Sequence, residues 1–318
     1  MTHGCSSADM TRPLCFVLSL LFAAALFGCD TTAPVPDSQV IVEAYLQGGA
    51  PMDSIRLTRS VAPDRAYQPT DAAVRDASVE VRERTADGAA AATIPFEEVS
   101  AGIYAPTPTP VPRVQPRTMY ELSVTAGEAD ITATTTVPDT VSIVDTQNET
   151  APYQGDAQPA FTITAPRSGR SGQAVLVLTT TSLLDFSQPD SALRSRLTPF
   201  YQEDYDPEED SLATYRTTSS GILNEANFER DEAGRITTEL PWISVAFYGP
   251  NESTVHVIDD NLFDIIRSQQ AQALGGQGNG LGPGELPNVI EHVEGGTGVF
   301  GSYVRDRRTI TIERPSGP

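Results

Sequence analysis

The sequence predicts a mainly β protein, built as two β-sandwich-type domains with one helix inserted in the second. Three features carry this. Apolar and polar residues alternate with period two through most apolar segments, the spacing of a half-buried strand. Those segments are short and separated by turns rich in glycine, proline and asparagine, as in sandwiches. Only one segment carries apolar residues at helical spacing.

In chain order, "QVIVEAYL" (39–46) alternates and stops at Gly48-Gly49, and "DSIRLTRS" sets Ile55 and Leu57 against Arg56 and Thr58. "SVEVRER" puts Val79 and Val81 on one face and Glu80 and Arg82 on the other. "MYELSVTA" and "DITATTTV" flank Gly127-Glu128, a hairpin signal. No helical period of useful length precedes Pro138, so 39–138 is expected to form the first sandwich. The polar, turn-rich stretch 139–159 is expected to be a linker, and 160–318 the second β-rich domain.

In that second part "AFTITAP" resumes the alternation. Val175 to Leu178 is continuously apolar, as in a central strand buried on both faces. "ELPWISVAFYG" predicts a strand with Ile243, Val245 and Phe247 on one face. "STVHVID" pairs Val255 with Val257 and turns His256 to the polar face. The helix is expected from Asp259 or Asp260 as N-cap, through Leu262, Ile265, Ile266 and Gln269, to Gly275-Gly276. A glycine-rich connector, "LGGQGNGLGPGELP", follows. The chain then reads as "GVFGSYV", a charged turn Arg305–Arg308, and "TITIE".

The 318 residues carry 42 acidic and 21 basic side chains, a formal net charge of -21, and every basic residue is arginine. That bias repels nucleic acid and anionic headgroups, so neither is expected as a partner. The acidity fits a solvated surface of the kind seen in salty surroundings better than a patch shaped for a basic partner. Without lysine there is no Walker-type phosphate loop, no Schiff base and no Ser-Lys dyad. Two histidines, His256 and His292, follow Cys29, so a three-histidine zinc site is excluded and no metal or cofactor is expected. No Gly-x-Ser-x-Gly turn is present, and no catalytic set assembles.

The densest acidic run, Glu203, Asp204, Asp206, Glu208, Glu209 and Asp210, lacks the Asp-x-Asp-x-Asp-Gly register of a calcium loop and reads as a solvated loop. A carboxylate-pair hydrolase stays open as an alternative, because so many acids make such a pair easy to form. Tyr201, Tyr205 and Tyr215 could stack on sugar rings or could be packing residues.

At the N-terminus Arg12 precedes an apolar run, Leu14 to Phe27, too short to span a bilayer and right for a signal-peptide core. Asp9 is out of place in a basic leader, and Met10-Thr11-Arg12 offers an alternative start. The run ends in Leu26-Phe27-Gly28-Cys29, which resembles the lipobox of bacterial lipoproteins, with Phe27 where a small residue is usual. The resemblance implies that 1–28 is removed and that Cys29 is the lipid attachment site. Acyl chains contribute about 0.8 kcal/mol per buried CH₂, so more than one chain makes a durable anchor. Removal of Cys5 and Cys15 with the signal leaves Cys29 no disulfide partner. Residues 29–38, with Pro34 and Pro36, read as a lipidated tether.

The order of elements resembles the bacterial lipoprotein family called domain of unknown function 4249. The lipobox, "VIVEAYL", "DSIRLTRS", "ASVEVRE", "GIYAP" and "YELSVTA" carry it, and above all "LPNVIEHVEGGTGVFGSY". There Asn288, Val289, Val293, Glu294, Gly295, Gly296, Gly298, Phe300 and Gly301 match the family pattern, with His292 where asparagine is usual. The first domain also resembles prealbumin-like, immunoglobulin-type sandwiches found beside bacterial outer-membrane receptors. The resemblance implies an outer-membrane, lipid-anchored protein, often encoded near TonB-dependent receptors, with no established activity. The expected role is therefore a non-enzymatic accessory or ligand-binding subunit near a TonB-dependent transport complex. The alternative is a lipid-anchored glycan-active or calcium-dependent glycan-binding protein. Within "VEGGTGVFGSY" the glycines are expected to serve backbone conformations closed to other residues, with Val299 and Phe300 in the core.

Overall fold

The computed structural model describes residues 38–62, 65–85, 88–164, 172–275 and 289–315. Cys29 with the expected signal and tether, and the glycine-rich connector with Asn288, lie outside the described residues. Gln39–Pro318 forms one compact unit.

The chain is mainly β, as its alternation predicts. The first half runs β1 (Val40–Gln47), β2 (Ile55–Arg59), β3 (Ser78–Arg84), β4 (Ala90–Ser100), β5 (Ile103–Pro106), β6 (Met119–Ala126) and β7 (Ala129–Thr136). Short strands β8 (Ile143–Gln147), β9 (Thr150–Pro152) and β10 (Ala160–Thr164) follow, then β11 (Val175–Ser182). Two short helices, α1 (Asp190–Arg194) and α2 (Pro199–Asp204), precede β12 (Thr217–Asn224), β13 (Arg235–Glu239) and β14 (Gly249–Ile258). The long helix α3 (Asp260–Gly275), β15 (Val293–Glu294) and β16 (Thr297–Glu313) complete the described elements.

One curled sheet takes the order β12-β11-β14-β16-β1-β2-β5-β4-β3-β6-β7-β15, with β9 added to β16, and a smaller sheet takes β13-β10-β8. Because β15 leads into β16 through only Gly295 and Gly296, the far end of the large sheet folds back onto its own middle. Alternation explains the core: Val42, Ala44, Leu57, Val81, Leu122 and Ile131 point inward and are buried, Ile310 of β16 joins them, and Leu176, Val255 and Val257 continue the same core on the other side of β16. The hairpin at Gly127-Glu128 forms as expected, with Ala126 paired to Ala129 and Gly127 at φ 67°. β11 lies between β12 and β14 with Leu176, Val177 and Leu178 buried, as a central strand should.

The expected domain boundary reads differently in three dimensions. Residues 139–159 carry β8 and β9 rather than an unpaired linker, with Ile143, Ala151 and Tyr153 buried. β16 joins both halves: Ile41–Gln47 pairs with Thr297–Tyr303 in parallel, and Tyr303–Ile312 pairs antiparallel with β14. The two expected domains therefore share one sheet.

Two strand assignments also shift. Arg305–Arg308 is not a turn: it continues β16, each residue opposite one from His256 back to Ser253. Arg305 and Arg307 face solvent, Arg307 pairing with Glu252, whereas Asp306 and Arg308 turn to the half-buried opposite face, pair with each other and hydrogen-bond the Ile143 backbone of β8. "PWISVAF" is not a regular strand. Pro241 starts a 3-10 turn, Trp242–Ser244, that leaves Ile243 50% exposed, and the strand begins only at Gly249.

Candidate functional site

Three features stand out: a glycine-built seam, a distal excursion and a cleft. At the seam, β15 pairs with β7 and β16 with β1, so the chain must cross between two backbones. Gly295 (φ +76°) and Gly298 (φ +107°) adopt backbone conformations that side chains oppose. A Cβ on Gly295 would lie 2.0 Å from the Asp130 carbonyl oxygen, and one on Gly298 would lie 2.1 Å from that of Val42. Val299 and Phe300 then enter the core as the sequence predicts.

Helix α3 sits against this crossing. Asp259 is its N-cap: Oδ1 accepts the Leu262 N–H at 2.9 Å. Its Oδ2 accepts the Thr135 hydroxyl and, at 3.3 Å, that of Ser302. Asn261 Nδ2 donates to the carbonyls of Thr134 (2.7 Å) and Phe300 (2.8 Å). Burial pushes the Asp259 carboxyl up to about 6, against the pull of these hydrogen bonds. His256 faces away from Val255 and Val257, as expected, but not into solvent. Its Nε2 lies 2.9 Å from Thr179 Oγ1 and its ring 5.8 Å from that of Tyr303. Burial, helped by the Arg305 guanidinium, holds its imidazole down at about 4. His292 Nε2 lies 2.8 Å from Asp264 Oδ2, which links the start of the motif to α3. Among the described residues neither histidine meets a serine in a triad arrangement. These polar groups hold the helix to the seam.

The distal excursion comprises 183–216 and 242–248, inserted between β11 and β12 and before β14. Ser182 pairs with Asn251, and Gly249 with Ile312, so the excursion sits at the far end of β16 from Val40. At about 3.3 Å per strand residue, Thr297 to Ile312 spans roughly 50 Å. The excursion has its own core of Leu193, Leu197, Tyr205, Leu212, Ala246 and Phe247. Pro199 opens α2 at the position where proline costs no hydrogen bond. Thr198 ties this helix down: its hydroxyl donates to the Val245 carbonyl at 2.8 Å. Asp190 Oδ2 accepts the Leu212 N–H (3.2 Å) and the Tyr205 hydroxyl (3.4 Å).

The three tyrosines of the sequence reading are packing residues: Tyr201 and Tyr215 stand 5.5 Å apart edge-on, and Tyr205 and Tyr215 6.3 Å. The acidic run folds partly on itself, with Asp206 Oδ1 accepting the Glu208 N–H and Asp210 Oδ2 accepting the Tyr215 hydroxyl. Glu203, Asp204, Glu208 and Glu209 stay exposed. The arginines lie over rings instead: Arg194 over Tyr205, Arg216 over Phe186 and Arg314 over Tyr248, at 5.3–5.7 Å. Beside the carboxylates, Phe200 (45% exposed) meets the Tyr201 ring edge-on at 5.1 Å, and the Tyr201 hydroxyl donates to the carbonyl of exposed Ile243. The result is an apolar face with an acidic rim. Alternation alone does not reveal it, because period two puts Ile243 on one strand face with Val245 and Phe247, which are buried where Ile243 is not.

A cleft of about 520 Å³ opens at the small sheet, lined by Gln147, Gln158, Phe228, Thr237, Glu239 and Pro241 among others. Its residues come from four separate segments, so no motif announces it. Among the described residues no group of three or more histidine, cysteine, aspartate or glutamate side chains is arranged to hold a metal ion.

No curated protein matches the sequence. Among solved structures, the chain is similar to trypsin-activated alpha-2-macroglobulin from Escherichia coli at 10% identity, over 70% of this chain and 15% of that one, with a TM-score of 0.20. It is similar to the elastase-activated form of that Escherichia coli protein at 12% identity, over 89% and 21%, with a TM-score of 0.21. The chain thus spans about a fifth or less of those proteins, and a likeness this weak carries no argument. The family model for the Domain of unknown function (DUF4249) matches residues 29–309, from Cys29 through the glycine motif into β16. The chain belongs to this family.

Proposed function

We propose that this protein is an outer-membrane-anchored lipoprotein, held by lipid at Cys29, that serves as a non-enzymatic accessory subunit of a TonB-dependent transport complex. The observation that carries the reading is the apolar, acid-rimmed face of Phe200, Tyr201 and Ile243, at the opposite end of β16 from the strand the tether enters. A contiguous exposed apolar group rimmed by charge suits a protein partner, here one with a basic rim. Confinement near the membrane raises the local concentration of any neighbouring complex, so a modest interface suffices. The family match beginning at Cys29 supports the anchor.

The test is mild crosslinking in native membranes, capture through a C-terminal tag and mass spectrometry. A TonB-dependent receptor should be recovered with the wild-type chain and lost with Cys29→Ser. Phe200→Asp with Ile243→Asp should lower recovery at least about tenfold, the scale of a lost hot spot. Capture without any membrane protein, or equal recovery with the double variant, would overturn the proposal.

A further inference from the structure

The cleft at the small sheet opens beside Pro241, at the base of the turn that carries Ile243. Ala160 pairs with Gln147 on one side and with Glu239 on the other, so the three stand abreast. Directly opposed residues project to the same face of a sheet. Two strand spacings, about 9–10 Å, separate Gln147 from Glu239, and the largely buried methyl group of Ala160 forms the floor between them. Phe228 and Pro241 add apolar surface, and the volume of about 520 Å³ falls in the usual small-molecule range of about 300–1,000 Å³.

The polar groups define the ligand. The Gln147 amide and the Glu239 carboxylate have no hydrogen-bond partner among the described residues. Gln158 spends one amide donor on the Leu240 carbonyl and keeps its oxygen as an acceptor. The Thr237 hydroxyl shares a 2.9 Å bond with Thr162 and retains capacity for another. No arginine lines the cleft, and the chain carries a net charge of -21, so an anion is repelled. One carboxylate and one ring fall short of a cage for a cation. Hydroxyl groups, which donate and accept, satisfy acceptor-rich walls, and an aliphatic ring face covers Phe228.

We propose that this cleft binds a neutral saccharide, with one sugar ring seated over Ala160 between Gln147 and Glu239. The site does not depend on the distal face docking a partner.

The test uses the full chain in a detergent without a sugar headgroup. Saturation-transfer NMR would be run with maltotriose, cellotriose and chitotriose, and with tripolyphosphate and spermidine as charged probes. At least one neutral trisaccharide should bind at or below about 10 mM. Gln147→Ala, an exposed change that spares the core, should weaken that binding at least about tenfold. Glu239→Gln keeps hydrogen-bonding atoms and should change it less than about threefold. Silence from all three saccharides, binding indifferent to Gln147→Ala, or spermidine binding abolished by Glu239→Gln would each overturn the proposal.

Discussion

Where β16 enters the fold, Gly295 and Gly298 bring main chains closer than any Cβ permits; in the distal excursion, rings and guanidinium groups hold the chain through side chains. The seam is backbone against backbone, continuous with the main core. The excursion has a small core of its own and exposes what the seam buries. A close backbone crossing has no slack, because every added atom meets a carbonyl oxygen. A surface knot of aromatics can loosen while the sheet beneath it stays intact. The seam is therefore suited to holding the molecule together, and the excursion to meeting something outside it.

The largest effect expected from this contrast is at Gly298. Gly298→Ala adds a Cβ 2.1 Å from the Val42 carbonyl oxygen at φ +107°. Backbone strain and overpacking together should cost about 2–5 kcal/mol in denaturant unfolding. A change below about 0.5 kcal/mol would mean that the seam yields and the comparison fails.

A second test separates two buried groups near the seam that act in opposite directions. Asp259 titrates at about 6 in the folded state instead of the ordinary 3.8. Its contribution to stability is full below the unfolded value and is lost as pH rises through 6. His256 titrates at about 4 instead of 6.5, so its contribution is full above the unfolded value and is lost as pH falls through 4. Between pH 4 and 6 the two partly cancel. Asp259→Asn should leave stability rising with pH from 4 to 6.5, and His256→Gln should leave it falling from 4 to 6, each by up to about 3 kcal/mol. Urea midpoints measured across pH check both signs. Parallel profiles in the two variants would remove this assignment.

The smallest expected effect tests the independence of the excursion. Asp190→Ala removes the acceptor of the Leu212 N–H and the Tyr205 hydroxyl, a local loss of about 1–2 kcal/mol. Trp242, the sole tryptophan, packs against the main core with its ring 5.1 Å from that of Tyr153, so its fluorescence follows the sheet. Amide hydrogen exchange at Thr198, whose N–H donates to the Ala246 carbonyl inside the excursion, should show a larger fall in opening free energy than the unfolding free energy from Trp242 fluorescence. Equal falls would show that seam and excursion unfold as one.

Local features of the seam were legible in the sequence. Asp259 followed by Leu262, Ile265 and Ile266 marks the capped helix, and two glycines of "EGGTG" do sit at positive φ. Features made by distant partners were not. Arg305–Arg308 reads as a turn because four charged residues interrupt the apolar pattern, yet β14 pairs with each of them, solvent takes Arg305 and Arg307, and the Ile143 backbone of β8 receives Asp306 and Arg308. The segment 139–159 reads as a linker because its strands are short and polar on one side, and their partners β10 and β16 lie elsewhere in the chain. The cleft depends on Gln147, Ala160 and Glu239 coming abreast, which pairing decides and spacing does not.

The double pairing of β16 also sets a clock. Ile41 cannot find Thr297 until nearly the whole described chain separating them has been made, and pairings between such distant residues are slow to form. Until then β1 and β14 each present an open edge of amides and carbonyls, a template for the wrong strand. Misassembly should therefore concentrate in this waiting period, and a chaperone that masks those two edges would protect the chain most.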